Sequence, residues 1–211
     1  MRSFSHWTPR YIRDRIVEFY YHKSHSDYPW LTRSANEILD SYLTKSDVGL
    51  EFGSGRSTIW FAKHSAHLTS IEHDEIWEKN VREMLLKENI NNVEYIVLPK
   101  DAEDNSGNDS AYVRVIDKWD ADSLDFCLVD GVYRGHCVRN VIEKLRPGGL
   151  LVIDNVNWFL PSDSHSPNSR SFAKGPDGLV WQEIEQLIST WRRIWTTSGV
   201  NDTAFFFKPH N

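Results

Sequence analysis

Acidic side chains stand where the apolar runs of this chain end. The runs close on, or are soon followed by, Glu51, Glu72, Asp101, Asp130 and Asp154. If the runs are parallel strands, these groups meet at one edge of a sheet, where doubly wound proteins bind their ligands. A solvated rim explains any single one of them. Five carboxylates at one edge repel each other, so together they predict a cationic or hydroxyl-rich ligand.

The segment LEFGSGRST predicts a strand, a tight glycine turn at 53–55 and a helix. The third glycine of dinucleotide-binding turns is replaced by Thr58, which disfavours an NAD enzyme. Glu51, just before the turn, would repel a pyrophosphate and suits an amine. Glu72 follows the turn by roughly 20 residues, the place where a carboxylate accepts ribose hydroxyls. A ligand with a ribose and a positive charge but no phosphate is S-adenosylmethionine.

Strand and helix patterns alternate through most of the chain. Strands are predicted at 48–52, 67–72, 93–98, 124–130, 150–154, 195–198 and 204–208, and helices at 57–63, 75–88, 111–116, 135–145 and 179–192. This alternation predicts an α/β fold with a doubly wound, mostly parallel sheet. The short turn GVND between the last two strands permits a hairpin, so we expect the last strand to be antiparallel.

Two helices are predicted before the first strand. Thr8 as N-cap with Pro9 in the first turn starts a helix over 8–23, and a capping box of Ser34 and Glu37 starts one that runs to Tyr42. We expect a single domain over 1–211, with a helical cap at 1–45 and a Rossmann-like core at 46–208. The loop at 157–178, rich in Ser, Pro and Gly, is predicted to be a substrate lid.

Composition narrows the class of protein. The net charge of −6 argues against a nucleic-acid partner. The N-terminus lacks a signal-peptide core, and no run of about 18 apolar residues predicts a membrane span. Cys127 and Cys137 suggest neither a disulfide framework nor a thiolate metal site. We expect a cytoplasmic protein with a small-molecule substrate, and its nine tryptophans permit a homodimer.

The ordered motifs of the chain resemble those of class I S-adenosylmethionine-dependent methyltransferases. The resemblance runs from about residue 48 to 208 and rests on LEFGSGRST, TSIEHD, PKDA, FCLVDG and RPGGLLVIDNV. It implies a seven-stranded Rossmann-like sheet whose last strand is antiparallel. That topology agrees with the hairpin read from the turn residues.

The resemblance also implies which residues hold the cofactor. The glycines would admit the methionine part, Glu72 would bind the ribose, His73 would pack on the adenine, and Asp101 and Ala102 would meet the adenine amino group. Asp130 would bind the methionine amine or a substrate. The full implied set is Glu51, Gly53, Ser54, Gly55, Ser57, Thr58, Glu72, His73, Asp101, Ala102 and Asp130.

A divalent metal is a further implication of the resemblance. The Asp-Asn pair after the fifth strand is similar to that of metal-dependent O-methyltransferases acting on catechols and caffeoyl esters. The matching ligands are Asp130, Asp154 and Asn155. Their hard oxygens suit Mg²⁺, Mn²⁺ or Ca²⁺, and such an ion would lower the pKa of a substrate hydroxyl. Alternatively, the pair simply ends the strand through side-chain turns.

The catalytic base is left open by the sequence. The catechol-type enzymes carry a lysine three residues after the first aspartate, and this chain has Tyr133 there. Asp130, Tyr133 and His165 are the candidates for catalysis, His165 because of its place in the predicted lid. Arg134 is a candidate substrate contact, since a guanidinium pairs with a carboxylate or phosphate.

The sequence therefore predicts an S-adenosylmethionine-dependent O-methyltransferase for a small molecule, by in-line displacement, with or without a divalent metal. Two alternatives stay open. One is a metal-free enzyme that methylates nitrogen or a sugar hydroxyl. The other is a Rossmann-like module that binds a cofactor without turnover.

Overall fold

The computed structural model describes residues 7–210 as seven strands and seven α-helices. The helices are α1 (Pro9–Ser24), α2 (Arg33–Tyr42), α3 (Arg56–His64), α4 (Glu75–Lys87), α5 (Ala111–Arg114), α6 (Arg134–Val141) and α7 (Gly178–Leu187). The strands are β1 (Val48–Phe52), β2 (His67–Glu72), β3 (Val93–Val97), β4 (Leu124–Val129), β5 (Leu145–Asp154), β6 (Arg192–Thr197) and β7 (Asp202–Phe207). The outermost residues of the predicted domain, 1–6 and 211, lie outside the described residues.

The strands form one sheet in the order β3-β2-β1-β4-β5-β7-β6. Strands β1 to β5 pair in parallel, while β7 pairs antiparallel with both β5 and β6. This topology confirms the predicted doubly wound sheet and its antiparallel last strand. The strand order reverses between β1 and β4, so the carboxyl ends of these two strands flank the crevice where such sheets bind ligands.

Alternating side chains of the strands supply two cores, one on each face of the sheet. Leu50 and Cys127 belong to the core under α5, α6 and α7, and Phe126 and Leu150 belong to the core under α2 and α3. Cys127 and Cys137 are buried free thiols. Trp181 is also buried in the first core. Burial on both faces explains why the central strands read as continuous apolar runs.

Two predicted helix boundaries are wrong because sheet pairing takes over. The helix predicted over 135–145 ends at Val141, and Leu145 already pairs with Leu124 in the sheet. The helix predicted over 179–192 ends at Leu187, because Arg192 starts β6. In both places an apolar pattern with helical spacing continues into a strand.

The predicted capping box at Ser34 and Glu37 is also wrong. Helix α2 begins at Arg33, and the hydroxyl of Thr32 caps it by accepting from the Ala35 backbone N–H at 3.2 Å. Glu37 instead accepts from the Arg33 guanidinium at 2.9 Å. The cap predicted for α1 is confirmed, since the Thr8 hydroxyl accepts from the Tyr11 amide.

Helix α1 lies over the edge of the sheet where the parallel strands end, which we call the carboxyl edge. Near its start, the Asp14 side chain packs so closely on Gly199, in the β6–β7 turn, that a Cβ there would lie 2.4 Å from a carboxylate oxygen. Near its end, the His22 carbonyl accepts from the Arg56 guanidinium at 3.5 Å. In the part of the chain that the structure describes, no helix is both long and apolar enough to cross a bilayer.

Candidate cofactor and substrate site

A cavity of about 390 Å³ opens at the carboxyl ends of β1, β2 and β4. Its walls are Gly53, Ser54, Glu72, His73, Asp74, Trp77, Asp130, Gly131 and Val132. Five of these residues, Gly53, Ser54, Glu72, His73 and Asp130, are among those predicted from the sequence to bind a cofactor. The other four were not predicted.

Two glycines let the loops after β1 and β4 touch behind this cavity. Gly53 has a φ of +90°, and a Cβ on it would lie 2.7 Å from the Gly131 backbone nitrogen. A Cβ on Gly131 would collide with the Tyr112 hydroxyl at 2.0 Å. Only glycine fits such a conformation and such an approach. The cavity is thus lined by bare backbone at the topological switch point.

Both carboxylate oxygens of Glu72 in this cavity accept hydrogen bonds from the protein. Its Oε2 accepts from the Ser54 backbone N–H at 3.0 Å and from the Ser54 hydroxyl at 2.5 Å. Its Oε1 accepts from the backbone N–H groups of His73 and Asp74 at 2.7 and 3.0 Å. The side chain is only 4% exposed and has no guanidinium or ammonium partner among residues 7–210. A ligand hydroxyl can join this carboxylate by taking the place of the Ser54 hydroxyl, which also bonds Tyr95 at 2.8 Å.

An aromatic wall stands next to this carboxylate. The indole of Trp77 donates to the Ser54 carbonyl at 2.9 Å, and the side chain remains 41% exposed. Asp74 positions it, because its carboxylate caps α4 by accepting from the backbone N–H groups of Ile76 and Trp77. The sequence signal was an N-cap aspartate directly after a strand end, which fixes the first turn of the helix beside the glycine turn.

Glu51, predicted to face the ligand, is instead fully buried within the strand–helix unit. It accepts from the hydroxyls of Thr58 at 2.6 Å and Ser70 at 2.7 Å. Burial raises its pKa to about 7, against the lowering effect of hydroxyl hydrogen bonds that include Ser57. Thr58 in turn accepts from the Gly55 backbone N–H at 3.0 Å. The predicted cofactor residues Glu51, Gly55, Ser57 and Thr58 are thus part of the glycine turn and its support, and they do not line the cavity.

The adenine contacts predicted at Asp101 and Ala102 are engaged elsewhere. Asp101 accepts from the Ser110 hydroxyl and from the Ala111 backbone N–H, and these bonds lower its pKa. The Ala102 amide donates to the Tyr133 hydroxyl at 2.7 Å, and that hydroxyl donates to the Ala102 carbonyl at 2.5 Å. Neither residue lines the cavity. With both hydrogen-bonding roles of its hydroxyl taken, Tyr133 is poorly placed to act as a catalytic base.

Arg134 brings the ends of β4 and β5 together. Its Nε donates to the Gly131 carbonyl at 3.0 Å, and one terminal nitrogen donates to the Asp130 carbonyl at 2.8 Å and carboxylate at 2.7 Å. The other terminal nitrogen donates to the Asp154 carbonyl at 2.5 Å and to the Asn155 side-chain oxygen at 3.2 Å. The guanidinium is 15% exposed and the Asp130 side chain 34%. Burial raises the pKa of Asp130, and Arg134 opposes that rise.

The predicted metal ligands do not fit a divalent cation in this arrangement. Strand β5 does end at Asp154, and Asn155 turns away with a φ of +50°, as a shared ligand set would require. However, oxygens of Asp130 and Asn155 already accept from Arg134, and Asp154 accepts from the Thr203 hydroxyl at 2.6 Å. Among the described residues no cluster of His, Cys, Asp and Glu could hold a metal ion.

The predicted lid contributes nothing to the walls of the cavity. His165 lies in it as an exposed side chain, so its predicted role as a base is without support from the geometry. Phe159 stacks on Trp181 with ring centroids 4.6 Å apart, which ties the segment to the core under α7. Trp158 is 42% exposed and stands outside the cavity walls.

A second cavity of about 350 Å³ lies between α1 and the first turn of α3. It is lined by Arg15, Glu18, Phe19, His22, Lys23, Trp30 and Arg56. His22 stacks on Trp30 at 4.8 Å, and the Arg56 guanidinium sits 5.2 Å from the same indole. Arg56 is only two residues from Ser54 of the first cavity, a Cα separation of at most about 7 Å. Both cavities therefore draw lining residues from the short segment between Gly53 and Arg56.

Comparison with known proteins identifies the fold. No protein-family model matches the chain, and no curated protein does. Solved structures do match. A protein from Corynebacterium glutamicum aligns with a TM-score of 0.61 at 11% identity, over 100% of this chain and 93% of its own.

Two further matches are cofactor complexes. One is the O-methyltransferase TomG from Streptomyces achromogenes, involved in tomaymycin synthesis and bound to S-adenosylmethionine. It has a TM-score of 0.57 and 18% identity, over 89% of this chain and 86% of its own. The other is cofactor-bound Rv0187 from MTB, with a TM-score of 0.56 and 15% identity, over 94% and 91% of the two chains. The chain has the fold of the class I S-adenosylmethionine-dependent methyltransferases.

Proposed function

We propose that this protein transfers the methyl group of S-adenosylmethionine to a hydroxyl oxygen of a small molecule. The observation that carries the proposal is the group formed by Glu72, the glycine turn and Trp77. The Glu72 carboxylate, which has no guanidinium or ammonium partner among the described residues and lies 2.9 Å from the His73 Nδ1, is set beside bare backbone and an exposed indole. These groups match a ribose diol, a methionine chain and a purine, in the fold of proteins that bind this cofactor.

Asp130 is proposed to receive the methionine amine. Its Oδ1 is held by Arg134, and the carboxylate lines the cavity opposite Glu72. An ammonium group placed there would meet a negative charge that one guanidinium only partly neutralises. The cofactor would then span the crevice from β4 to β2, as ligands of doubly wound sheets do.

The acceptor is proposed to enter through the second cavity. Arg15, Lys23 and Arg56 face it without a carboxylate partner among the described residues, whereas its one acid, Glu18, lies 3.1 Å from His22. This surplus of positive charge, in a chain of net charge −6, favours an acceptor with a carboxylate or phosphate. Phe19 and Trp30 offer apolar surface for its body.

Methyl transfer needs little covalent help from the protein. The sulfonium methyl is already activated, so holding a nucleophilic oxygen in line with it supplies much of the acceleration. The C–O bond forms as the C–S bond breaks, S-adenosylhomocysteine leaves, and the hydroxyl proton is released to water. The proposed transfer uses no metal, because oxygens of Asp130 and Asn155, two of the three predicted ligands, accept from Arg134.

Turnover with methyl-labelled S-adenosylmethionine tests this function. The protein is incubated with a panel of hydroxylated acids and with their neutral amides, and release of S-adenosylhomocysteine is followed. We expect product with at least one acid and less with its amide. Tight binding of S-adenosylhomocysteine without turnover on any acceptor would favour the non-catalytic binding module instead.

A pair of tryptophan variants checks that the first cavity is the cofactor site. Trp77→Ala removes the proposed purine wall, and Trp158→Ala removes a tryptophan of nearly equal exposure outside the cavity, 42% against 41%. We expect only Trp77→Ala to raise the KM for S-adenosylmethionine, by roughly tenfold, the loss of one aromatic stacking contact. Equal effects of the two changes would remove the assignment.

A further inference from the structure

The Arg134 guanidinium lies among oxygens of Asp130, Asp154 and Asn155, the residues that the sequence predicts to bind a divalent cation. Its three nitrogens make five hydrogen bonds, and these reach residues after two different strands. After β4, the acceptors are the backbone carbonyls of Asp130 and Gly131 and one carboxylate oxygen of Asp130. After β5, they are the Asp154 backbone carbonyl and the Asn155 side-chain oxygen. A bound Mg²⁺ or Mn²⁺ draws on the same chemical set of carboxylate, amide and carbonyl oxygens.

The backbone conformation around residue 134 directs the Arg134 side chain toward the ends of β4 and β5. Tyr133 adopts a left-handed conformation with a φ of +50° and starts α6, so Arg134 is the first helical residue. Its side chain can then reach back to Asp130, four residues earlier, and across to Asn155, itself left-handed at a φ of +50°. Non-glycine residues rarely adopt this conformation, and two of them converge on one guanidinium.

We infer that Arg134 is a built-in replacement for the divalent cation, and that methyl transfer at this site is independent of metal. The inference rests on the proposed function for its catalytic part only. A guanidinium keeps its charge at all accessible pH values and cannot dissociate from the chain. Arg134 is therefore a positioning residue: it fixes Asp130 at the cavity and locks the ends of β4 and β5 together.

A second consequence is a masked metal site. Removing the guanidinium leaves the Asp130 carboxylate, the Asp154 backbone carbonyl and the Asn155 amide oxygen with no cation between them. Oxygen ligands of this kind bind divalent ions once they are unoccupied. The variant Arg134→Ala should thus gain an affinity for Mn²⁺ that the wild-type protein lacks.

The experiment is a titration of metal-stripped protein with Mn²⁺, read by the electron paramagnetic resonance of the free ion. We compare the wild type, Arg134→Ala and Arg139→Ala. Arg139 is a matched control because it lies on the same helix but contacts Asn108 and Glu183. We expect one Mn²⁺ to bind Arg134→Ala with a Kd on the order of 0.1 to 1 mM, and no binding in that range to the other two.

A third variant separates charge from shape. Arg134→Lys keeps a positive charge but loses the planar fork that bridges the two strand ends. We expect it to exclude Mn²⁺ like the wild type, while the KM for S-adenosylmethionine rises, because Asp130, the proposed acceptor of the methionine amine, is held less firmly. A loss of fold in Arg134→Ala, seen by circular dichroism, would leave the decision to the wild type and Arg134→Lys.

Stoichiometric Mn²⁺ binding by the wild type would overturn the inference, and so would a folded Arg134→Ala that binds none. The proposed function fails differently, through absence of S-adenosylhomocysteine binding or turnover in the wild type. Because Mn²⁺ binding is measured without cofactor or acceptor, the two failures cannot be mistaken for each other.

Discussion

The two halves of the carboxyl edge handle their acids in opposite ways. On the β1–β2 side, Glu51 and Glu72 accept only from hydroxyls and backbone N–H groups. On the β4–β5 side, Asp130 and the Asn155 amide oxygen share the guanidinium of Arg134. A strand-end carboxylate thus pairs with a guanidinium on the β4–β5 side, at Asp130, whereas Glu72 on the β1–β2 side has no guanidinium partner.

This difference separates recognition from support. A carboxylate held by neutral donors keeps its charge for a ligand, so Glu72 can accept hydroxyls from outside. A carboxylate bridged by a guanidinium is held in place and partly neutralised, so Asp130 keeps only part of its charge for the proposed ammonium group. Acidic residues at strand ends therefore do not form a uniform rim, because a nearby cation sets how much charge each keeps for a ligand.

The largest effect on the free energy of unfolding is expected from breaking the contact between Gly53, after β1, and Gly131, after β4. Gly53→Val places a branched side chain at a φ of +90° and a Cβ 2.7 Å from the Gly131 nitrogen. We expect a loss of about 3 kcal/mol or more in the free energy of unfolding, from strain and from displacement of the β4 loop. Urea unfolding measures it, and Gly175→Val, at a positive φ with open space around it, is the control for strain alone.

The second largest effect is expected from removing the carboxylate of Glu72, at the end of β2. Glu72→Ala deletes the acceptor of the proposed ribose diol, and hydrogen bonds to a charged group contribute about 1.5 to 3 kcal/mol. We expect the affinity for S-adenosylhomocysteine to fall by roughly 30- to 100-fold, measured by calorimetry. Glu88→Gln, a surface acid paired with Lys63, is the control and should leave the affinity unchanged. Unaltered affinity in Glu72→Ala would end the ribose assignment.

The buried acids predict how stability depends on pH. Burial and the nearby Asp130 raise the pKa of Asp154 to about 8, and burial raises that of Glu51 to about 7. Between the pKa values of unfolded carboxyls, near about 4, and these values, the folded protein holds protons that the unfolded chain has released. The wild type should therefore lose stability as pH rises from 5 to 8, by up to about 1.4 kcal/mol per pH unit for each group.

Amide variants attribute this slope to each half. Asp154→Asn should flatten the pH dependence up to about pH 8, and Glu51→Gln should flatten it only up to about pH 7. Urea unfolding at several pH values between 5 and 8 gives both slopes. A wild-type stability that rises over this window would contradict the raised pKa values.

The smallest expected effect on cofactor affinity comes from removing the Ser54 hydroxyl, which donates to Glu72. A ligand diol must displace the Ser54 hydroxyl, which sits 2.5 Å from Oε2. Ser54→Ala removes that competitor and keeps the backbone N–H bond to the same oxygen. We expect S-adenosylhomocysteine to bind about two- to threefold more tightly, less than 1 kcal/mol. Weaker binding in this variant would mean that the hydroxyl itself contacts the ligand.

The sheet was predictable from the sequence because strand and helix patterns alternate and the turns carry glycine. Gly53 and Glu72 were predictable at the cavity because the chain itself places them at adjacent strand ends. The bridge from Arg134 to Asn155 was not, since it joins residues 21 apart through two left-handed backbone turns. The residue type gives no sign of this conformation at Tyr133; asparagine favours it more than most residues, but that preference alone does not place Asn155 beside Arg134.

Two predicted helix boundaries are wrong for a related reason. Leu145 fits the apolar spacing of the preceding helix, and only its pairing with Leu124 assigns it to β5. Local pattern and long-range pairing conflict there, and pairing decides. The engagement of Ala102 by Tyr133 is likewise a contact between distant segments, which the Asp-Ala motif alone does not reveal.

The most direct test of the contrast between the two halves is a calorimetric titration of metal-stripped wild-type protein with S-adenosylhomocysteine, repeated with Mg²⁺ present. We predict binding in the first titration, the same Kd in the second, and no separate heat from Mg²⁺. Binding that appears only with Mg²⁺ would contradict the account, because the β4–β5 half would then need an ion that Arg134 is inferred to replace.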